Sequence, residues 1–304
     1  MSPVAYWNHY HRPATVQEAV ALLARHEGRA RVVGGGTDLL LEIQQGHRPR
    51  VEALVDPTFI TDLDRIEEEG GFLVIGCGVT HSRIVADPRL RAHATCLVEG
   101  CGVIGGPQVR NVATLAGNIA HALPAGDGTI GLLTLDGEIE VADLEGKRWV
   151  PIADAFLGPG KSCVDASRML ITRMRFRPCA PGEGSAYRRV MRPQGVALPM
   201  IALGARLRLD GEQIEAARVA IGPAGPVPFL AVRTMAQLRG RPASADTFRE
   251  AAETALQEAS LRDSPHRATA AYRTEMIRTQ LPRTLAKAAE RARTGHAEPE
   301  GVGL

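Results

Sequence analysis

Three consecutive glycines, Gly34, Gly35 and Gly36, are the first residues whose type and spacing point to chemistry. The β-branched residues before them are typical of a strand, and Thr37 and Asp38 precede apolar residues with helical spacing. Glycine lacks a Cβ and accepts positive φ angles, so successive backbone N–H groups can converge on phosphate oxygens. A helix N-terminus behind the loop adds a favourable dipole. The pattern predicts a strand, a tight loop and a helix that together bind an anion without a lysine.

Two common phosphate-binding patterns do not fit this chain. The fingerprint of doubly wound dinucleotide-binding sheets needs glycine where Leu39 stands, and the turn at residues 76–78 fails because His81 takes the last position. Residues 155–162 satisfy only the loosest P-loop pattern, without the strand before it or the helix that should begin at Lys161. A diphosphate is therefore expected on a different fold, and a triphosphate site at Lys161 is the weaker alternative.

A second stretch rich in small residues runs from residue 100 to residue 131. So many glycines and alanines cannot pack like a normal core, which predicts either a structural loop or a surface where the backbone meets a ligand. Thr114, Asn118 and Asp127 are spaced polar groups within it that can bond hydroxyls. From the residues alone, both interpretations stay open.

The composition is that of an ordinary globular chain. Its 304 residues can bury a substantial core in two domains, and 36 Lys plus Arg against 34 Asp plus Glu give a net charge of +2. With so small a net charge, the protein has no overall positive potential that would attract nucleic acid or acidic membranes. No apolar run is long enough to span a bilayer, and residues 1–7 lack a secretory signal pattern, which predicts a soluble, cytoplasmic protein.

The cysteines and histidines predict no metal site. Five cysteines scattered over a long chain argue against a disulfide framework and are expected to be packing residues in a reducing compartment. Cys96 and Cys101 begin an iron–sulfur spacing that Ile104 breaks, and the nine histidines form no zinc spacing with the cysteines.

Caps, periodicity and turn residues predict the elements that position these stretches. A capping box at Thr15 and Glu18 predicts a helix to about residue 26, and Thr80 is expected to cap another. A proline-containing turn at residues 178–182 predicts a domain boundary. Strands are predicted at 53–55, 72–75, 138–141, 148–150, 169–176, 186–191, 201–209 and 217–221. Helices are predicted at 130–135, at about 248–259 behind Ser244, and at about 269–293 with an interruption near Pro282.

Two motifs, taken in order, resemble one protein family closely. They are Val32-Val33-Gly34-Gly35-Gly36-Thr37-Asp38-Leu39 and Arg110-Asn111-Val112-Ala113-Thr114-Leu115-Ala116-Gly117-Asn118-Ile119-Ala120-His121-Ala122-Leu123-Pro124-Ala125-Gly126-Asp127. The family is the FAD-binding medium subunit of the xanthine dehydrogenase, aldehyde oxidoreductase and aerobic carbon monoxide dehydrogenase group of molybdenum hydroxylases. The order and spacing of the motifs match over most of the chain.

The resemblance implies an α+β fold with two parts. Residues 1–178 would form a two-lobed FAD-binding domain of the vanillyl-alcohol-oxidase (PCMH) type, with lobes at about 1–56 and 57–178. Residues 179–297 would form a smaller α+β C-terminal domain of the carbon monoxide dehydrogenase flavoprotein type. The tail at 298–304 is expected to be disordered.

The resemblance also implies which residues bind FAD. Residues 34–37 would cradle the pyrophosphate through backbone N–H groups, residues 114–118 would line a second phosphate-side loop, and Asp127 would bond sugar or ribityl hydroxyls. Ala116 stands where the family often has glycine, and FAD is still expected because its neighbours are retained. The predicted set is Arg31, Val32, Val33, Gly34, Gly35, Gly36, Thr37, Asp38, Leu39, Thr80, Ile104, Ala113, Thr114, Leu115, Ala116, Gly117, Asn118, Ala120, Asp127, Leu170 and Arg188.

Four of these positions would approach the cofactor from outside the two loops. Thr80 and Ile104 lie where the family approaches FAD, Ile104 at the isoalloxazine face, and Leu170 and Arg188 lie in segments that pack near the ring. No acid, base or nucleophile is predicted, because the chemistry belongs to the flavin.

The implied function is electron transfer within a complex. A molybdenum-cofactor large subunit would hydroxylate the substrate, a small subunit with two-iron, two-sulfur clusters would pass electrons on, and this chain would move them from FAD to NAD+, a quinone or oxygen. The partners would form a heterotrimer or its dimer. Two alternatives stay open: a stand-alone flavin-dependent dehydrogenase on the same fold, and a non-enzymatic scaffold subunit with a vacant flavin site.

Overall fold

The computed structural model describes residues 6–192, 197–265 and 267–301. Their strands form sheets of three, five and four strands and a separate two-stranded pair, with helices packed against them. The predicted α+β class is confirmed. Within these ranges no helix combines the length and apolar character that crossing a membrane requires.

The first lobe is built on three short parallel strands. Its elements are β1 (His9–His11), α1 (Val16–Arg25), β2 (Ala30–Val32), α2 (Leu39–Gln44) and β3 (Ala53–Val55). The Thr15 cap of α1 is confirmed, because Thr15 Oγ1 accepts the Glu18 N–H at 3.1 Å. The reciprocal bond of the capping box differs by one residue, because Glu18 Oε2 accepts the Ala14 N–H, at 2.7 Å, and not that of Thr15. β3 lies between β1 and β2. The glycine loop therefore leaves the sheet from an edge strand.

The second lobe carries a five-stranded antiparallel sheet in the order β4-β5-β10-β6-β7. Its elements are β4 (Ile66–Glu69), β5 (Phe72–Gly76), α3 (His81–Ala86), α4 (Pro88–His93), α5 (Thr95–Gly102), α6 (Pro107–Arg110), α7 (Leu115–His121), α8 (Asp127–Thr134), β6 (Glu138–Asp143), β7 (Gly146–Pro151), β8 (Phe156–Gly158), β9 (Lys161–Ser162) and β10 (Leu170–Phe176). The predicted hairpin of β6 and β7 is confirmed. Lys161 lies in a strand and no helix begins there, so the P-loop interpretation is wrong.

The C-terminal domain pairs one antiparallel sheet with a helical layer. Its elements are β11 (Glu183–Val190), β12 (Ile201–Asp210), β13 (Gln213–Gly222), β14 (Phe229–Leu230), α9 (Val232–Leu238), α10 (Ala245–Glu258) and α11 (Ala270–Thr294). The strands follow one another in the sheet in chain order, and α11 packs across β11 and β12. Ser244 caps α10 as predicted, its Oγ accepting the Thr247 N–H at 3.3 Å.

The two domains share a core and a buried ion pair. One hydrophobic cluster spans both lobes and includes Tyr187, Ala202 and Ala220 of the C-terminal sheet. Glu99 on α5 meets Arg291 on α11 at 2.6 Å, and their side chains are only 3% and 1% exposed. A buried charge is tolerated only with a partner, so this pair fixes how the domains dock.

Of the two interpretations left open for the small-residue stretch at 100–131, the structural loop is wrong, because helices α5 to α8 occupy most of it. The glycines there allow helices to pack closely. A Cβ on Gly100 would lie 2.7 Å from the Asp127 carbonyl oxygen, and one on Gly131 would lie 2.9 Å from the Leu97 Cα. Small residues in this stretch therefore mark the close packing of α5 against α8.

Helix α11 continues through Pro282, where an interruption was expected. The flanking Leu281 and Leu285 are fully buried, and the helix packs along the sheet throughout. Burial of this apolar face outweighs the hydrogen bond that proline cannot donate.

The last described residues make defined contacts, contrary to the expected disorder from residue 298. The Glu298 carbonyl accepts from Arg291 Nη2 at 2.6 Å, and the Glu300 N–H donates to Glu99 Oε1 at 2.8 Å. The Glu300 carboxylate also pairs with Lys287 at 2.8 Å. The buried Glu99–Arg291 pair thus holds the tail through polar groups that a sequence pattern does not reveal. Residues 302–304 lie outside the described part.

Candidate functional site

The glycine loop joins the end of β2 to α2. The Val33 N–H donates to the Val55 carbonyl at 2.9 Å, which extends the sheet by one residue before the loop departs. Gly36 has φ +70°, a left-handed conformation that favours glycine. Asp38 occupies the N-cap position of α2 without a side-chain cap bond, so its exposed carboxylate is not engaged by the helix.

The second loop is organised by Thr114, which caps α7. Its Oγ1 accepts the Gly117 N–H at 3.1 Å. Thr114 also forms an antiparallel bridge with Thr80, and the next residue, His81, donates its N–H to the Ala113 carbonyl at 3.0 Å. Thr80 in turn caps α3 through its Oγ1, as predicted. Thr80 and the second loop are therefore one hydrogen-bonded unit.

The two loops meet backbone to backbone. A Cβ on Gly35 would lie 2.2 Å from the Val112 carbonyl oxygen and 2.7 Å from the Ala113 nitrogen, closer than real atoms approach. A Cβ on Gly34 would lie 3.1 Å from Thr114 Oγ1. Two sequence-distant motifs thus come together, and only glycine at position 35 permits the approach.

A second approach of the same loops involves a histidine. His121, in the last turn of α7, lies 3.9 Å from Asp38 and 3.7 Å from Glu42 between ring nitrogens and carboxylate oxygens. Asp38 and Glu42 belong to the start of α2. These separations exceed hydrogen-bond length, so His121 shows only that the last turn of α7 lies beside the start of α2.

Exposure differs along the loops in a way that suits an anion. Residues 34–37 are partly exposed and Gly117 is exposed, whereas Val33, Ala113 and Leu115 are buried. Neither residues 32–39 nor residues 112–118 include a lysine or arginine. An anion here would be held by backbone N–H groups and a hydroxyl.

The methyl group of Ala116 packs into the protein. Ala116 is 7% exposed and belongs to the hydrophobic cluster of the two lobes. Its neighbour Asn118 is half-buried, and its Oδ1 accepts from both the N–H and the hydroxyl of Thr129 at 3.0 Å. Alanine in place of the family's glycine at position 116 is therefore accommodated in the core, and the hydrogen bonds of Asn118 still hold the loop.

Asp127 lies at the start of α8 and is engaged by two side chains of β11. Its carboxylate accepts from the Tyr187 hydroxyl and from Arg189 Nη1, the latter at 3.1 Å. Burial raises the pKa of Asp127 to about 6, against the opposing charge of Arg189. Asp127 was predicted as a ligand for hydroxyls, and in this structure it links the second lobe to the C-terminal sheet.

The remaining predicted residues divide between the loops and other surroundings. Arg31 Nη1 bonds Asp165 at 3.0 Å beside the strand end, and the carbonyl of Ile104 accepts from Arg110 at 3.3 Å. Leu170 is 1% exposed in the hydrophobic core, and Arg188 pairs with Glu300 at 3.2 Å. The buried Leu170 side chain has the weakest structural support as a cofactor contact.

A cavity of about 260 Å³ opens between the domains. Its lining includes the Arg188–Glu300 ion pair and the two residues that contact Asp127, which are Tyr187 and Arg189. Val103, which precedes the predicted Ile104, completes one wall. The predicted Arg188 thus lines the cavity together with Tyr187 and Arg189, the two residues that hold Asp127.

Sequence reasoning missed several residues that build the site. Val112 and His121 form the loop contacts, and Tyr187 and Arg189 hold Asp127. Alternation along β11 could have placed Tyr187 and Arg189 on one face, since they are two residues apart. Nothing in the sequence marks the Val112 carbonyl, because every residue carries one.

Two family models match the chain. The FAD binding domain in molybdopterin dehydrogenase matches residues 5–176, and the CO dehydrogenase flavoprotein C-terminal domain matches residues 185–288. A putative xanthine dehydrogenase FAD-binding subunit of Escherichia coli is 31% identical over 282 residues, covering 92% of this chain and 95% of that protein.

Solved structures are similar over nearly the whole chain. A carbon monoxide dehydrogenase chain from Hydrogenophaga pseudoflava superposes with a TM-score of 0.88 at 27% identity, covering 93% of this chain and 97% of that one. A chain of quinoline 2-oxidoreductase from Pseudomonas putida superposes with a TM-score of 0.85 at 27% identity, with the same coverage.

Proposed function

The chain belongs to the family of the FAD binding domain in molybdopterin dehydrogenase, and from this premise we propose that it is the FAD-carrying, electron-transferring medium subunit of a molybdenum hydroxylase. One observation carries the proposal: Gly35 lets the glycine loop touch the backbone of residues 112–113. A side chain at position 35 would clash with the backbone of residues 112–113 and hold the two loops apart. The residues present therefore fit a dinucleotide whose pyrophosphate is held by backbone groups.

Each loop has its own part in this proposal. The N–H groups of residues 34–37 would hold the pyrophosphate, with Arg31, Val32, Val33, Asp38 and Leu39 supporting the loop from both sides. Residues 113–118, with Thr80 and Ala120 beside them, would form the opposite wall. When bound, FAD supplies the electron-transfer chemistry, and the protein supplies position, electrostatics and shielding.

The cavity between the domains is where we place the flavin-ring side of the site. Arg188, Tyr187 and Arg189 come from β11, and Val103 comes from the second lobe next to Ile104. Groups from both domains would thus restrict access to the ring.

The division at about residue 178 separates a two-lobed flavin domain, at 1–56 and 57–178, from the C-terminal domain at 179–297.

The partners follow from the kind of complex to which the relatives belong. The relatives include a carbon monoxide dehydrogenase medium chain and a nicotine 6-hydroxylase medium subunit. We propose a molybdenum-cofactor large subunit and a two-iron, two-sulfur small subunit, with electrons leaving this chain for NAD+, a quinone or oxygen. The five free cysteines, four of them buried, fit the proposed cytoplasmic location.

Two experiments test the proposal. First, the purified chain is titrated with FAD, and flavin absorbance retained after gel filtration at one FAD per chain is expected. Second, the chain is purified from its native host by an affinity tag, and iron and molybdenum are expected in the eluted complex but not in the isolated chain. A chain that stays colourless with FAD contradicts flavin binding, and reduction of its FAD by an organic substrate without partners would indicate a stand-alone dehydrogenase.

A further inference from the structure

Four arginines gather where the loop before α11 meets the end of β11. Arg273, in the first turns of α11, donates from Nη1 to the Arg262 carbonyl at 3.2 Å, and Arg192 donates from Nη2 to the Arg267 carbonyl at 3.5 Å. We define Arg192, Arg262, Arg267 and Arg273 as the arginine cluster. It lies outside the two loops and the inter-domain cavity described above.

In the part of the chain that the structure describes, no ion pair neutralises the positive charges of this cluster. Among the described residues, no carboxylate lies within ion-pair distance of any of the four guanidinium groups, and the residues outside the described ranges include no Asp or Glu. Asp263, on the same loop, lies beyond ion-pair distance but its charge still acts on Arg273 and opposes part of the lowering of its pKa. Its Oδ1 accepts the Ala270 N–H at 2.7 Å. Most other arginines of the chain, by contrast, have a carboxylate partner.

Arg273 is the group that most requires a ligand. It is only 4% exposed, and its Nε has no hydrogen-bond partner in the described part of the chain. Burial, followed by the charges of Arg267 and Arg262, lowers the pKa of Arg273. Burial and the charge of Arg262 likewise lower the pKa of Arg267. A buried N–H donor without an acceptor is costly, and an anion at this position would remove that cost.

The N-terminus of helix α11 adds no free charge to the cluster. The helix begins behind Thr269, and its first residue, Ala270, donates its N–H to the Asp263 carboxylate, which opposes the positive dipole end. Guanidinium groups bind phosphate oxygens in a planar, bidentate geometry, and several of them together select a dianion over chloride.

We propose that the arginine cluster is a binding site for a phosphate group, either inorganic phosphate or the phosphate of a nucleotide. Arg273 would bind one phosphate edge from inside the fold, and Arg262 and Arg267 would bind from the loop. Arg192 would complete the site from the segment that directly follows β11. The proposal does not depend on FAD binding, because none of these four arginines belongs to the two loops.

The test compares anions on the full FAD-loaded chain at constant ionic strength. Sodium phosphate is expected to raise the thermal midpoint above that in sodium chloride, and isothermal titration calorimetry with inorganic phosphate and with ADP gives the affinities. Arg267→Gln, a half-buried loop position, is expected to weaken phosphate binding at least tenfold. Arg249→Gln is the matched control, because Arg249 is an exposed arginine of the same domain that pairs with Asp246.

The outcomes separate the possibilities. At least tenfold tighter binding of ADP than of phosphate assigns the site to a nucleotide, and equal affinities assign it to inorganic phosphate. Arg273→Lys keeps the charge but loses the planar fork, so weaker phosphate binding in a folded Arg273→Lys chain also supports the proposal. Equal midpoints in phosphate and chloride, or unchanged phosphate affinity in Arg267→Gln, overturn it.

Discussion

Substitution of Gly35 by alanine gives the sharpest test of how the two loops make one site. The added Cβ would lie 2.2 Å from the Val112 carbonyl oxygen, 2.5 Å from the Val112 carbonyl carbon and 2.7 Å from the Ala113 nitrogen. All three atoms are backbone, so no side chain can rotate away. Ordinary carbon–oxygen contact requires a separation larger by roughly 1 Å, and we expect the loops to part by about that amount.

The expected magnitude follows from this displacement. Overpacking of this kind lowers the free energy of unfolding by about 1–3 kcal/mol. A shift of about 1 Å also takes a backbone N–H beyond hydrogen-bonding distance of a phosphate oxygen, and one such charge-assisted bond contributes about 1.5–3 kcal/mol. FAD affinity should therefore fall by about ten- to a hundredfold.

Two further alanine variants provide graded controls for this measurement. Gly34→Ala would place its Cβ 3.1 Å from the Thr114 hydroxyl, a side chain that can adjust, and should have a smaller effect. Gly158→Ala meets only Lys161 side-chain atoms, the nearest at 3.7 Å, and should bind FAD normally. Affinities are measured by titrating the flavin fluorescence of FAD with apoprotein. Equal FAD affinities of Gly35→Ala and Gly158→Ala would refute the reasoning.

Three other perturbations have defined outcomes. Burial lowers the pKa of His81 from 6.5 to about 4, so the unfolded chain takes up this proton first as the pH falls. Between pH 7 and pH 5, urea titrations should show the free energy of unfolding falling by about 2 kcal/mol more in the unsubstituted chain than in His81→Gln, because the raised pKa of Asp127 acts in the opposite direction in both. Equal changes in the two chains would exclude this cause. Thr114→Ala removes the cap of α7 and should lower the free energy of unfolding by about 1 kcal/mol in urea titrations. Thr114→Ser keeps the hydroxyl and should restore it, so equal stabilities of the alanine and serine variants would show that the cap does not contribute. Glu99→Gln leaves the buried Arg291 charge uncompensated and should lower stability by about 3–5 kcal/mol in chemical denaturation, so a loss below about 1 kcal/mol would contradict a domain-fixing role.

Local signals in the sequence predicted much of the fold. The caps at Thr15, Thr80 and Ser244 each have their predicted bond, because a cap depends on residues only a few positions apart. The strand predicted at 201–209 matches β12 to within one residue, whereas the prediction at 217–221 covers only the second half of β13. Such features need no knowledge of distant contacts.

The failures of prediction share a physical cause. Small residues at 100–131 left a loop and a ligand surface open, and the sequence did not show that Gly100 and Gly131 let α5 and α8 pack closely. The continuous helix through Pro282 depends on burial against a distant sheet. The contacts of Glu300 with Glu99 join residues about two hundred positions apart. Tertiary packing overrides local propensity in these cases.

The candidate site was predictable in its parts but not in its assembly. The glycine loop and the Thr114 loop were predicted as separate motifs, and their resemblance to a family supplied the reason for pairing them. Their backbone contact depends on the Val112 carbonyl, which has no sequence signature. The role of Asp127 as a partner of Tyr187 and Arg189 also required the position of β11.

The most direct test of flavin binding at the paired loops is the visible absorbance spectrum of the full chain after incubation with FAD and removal of excess cofactor. The account predicts flavin bands, one FAD released per chain on denaturation, and less bound FAD in Gly35→Ala than in Gly158→Ala. A colourless chain, or bound FAD that is unchanged in Gly35→Ala, would contradict it.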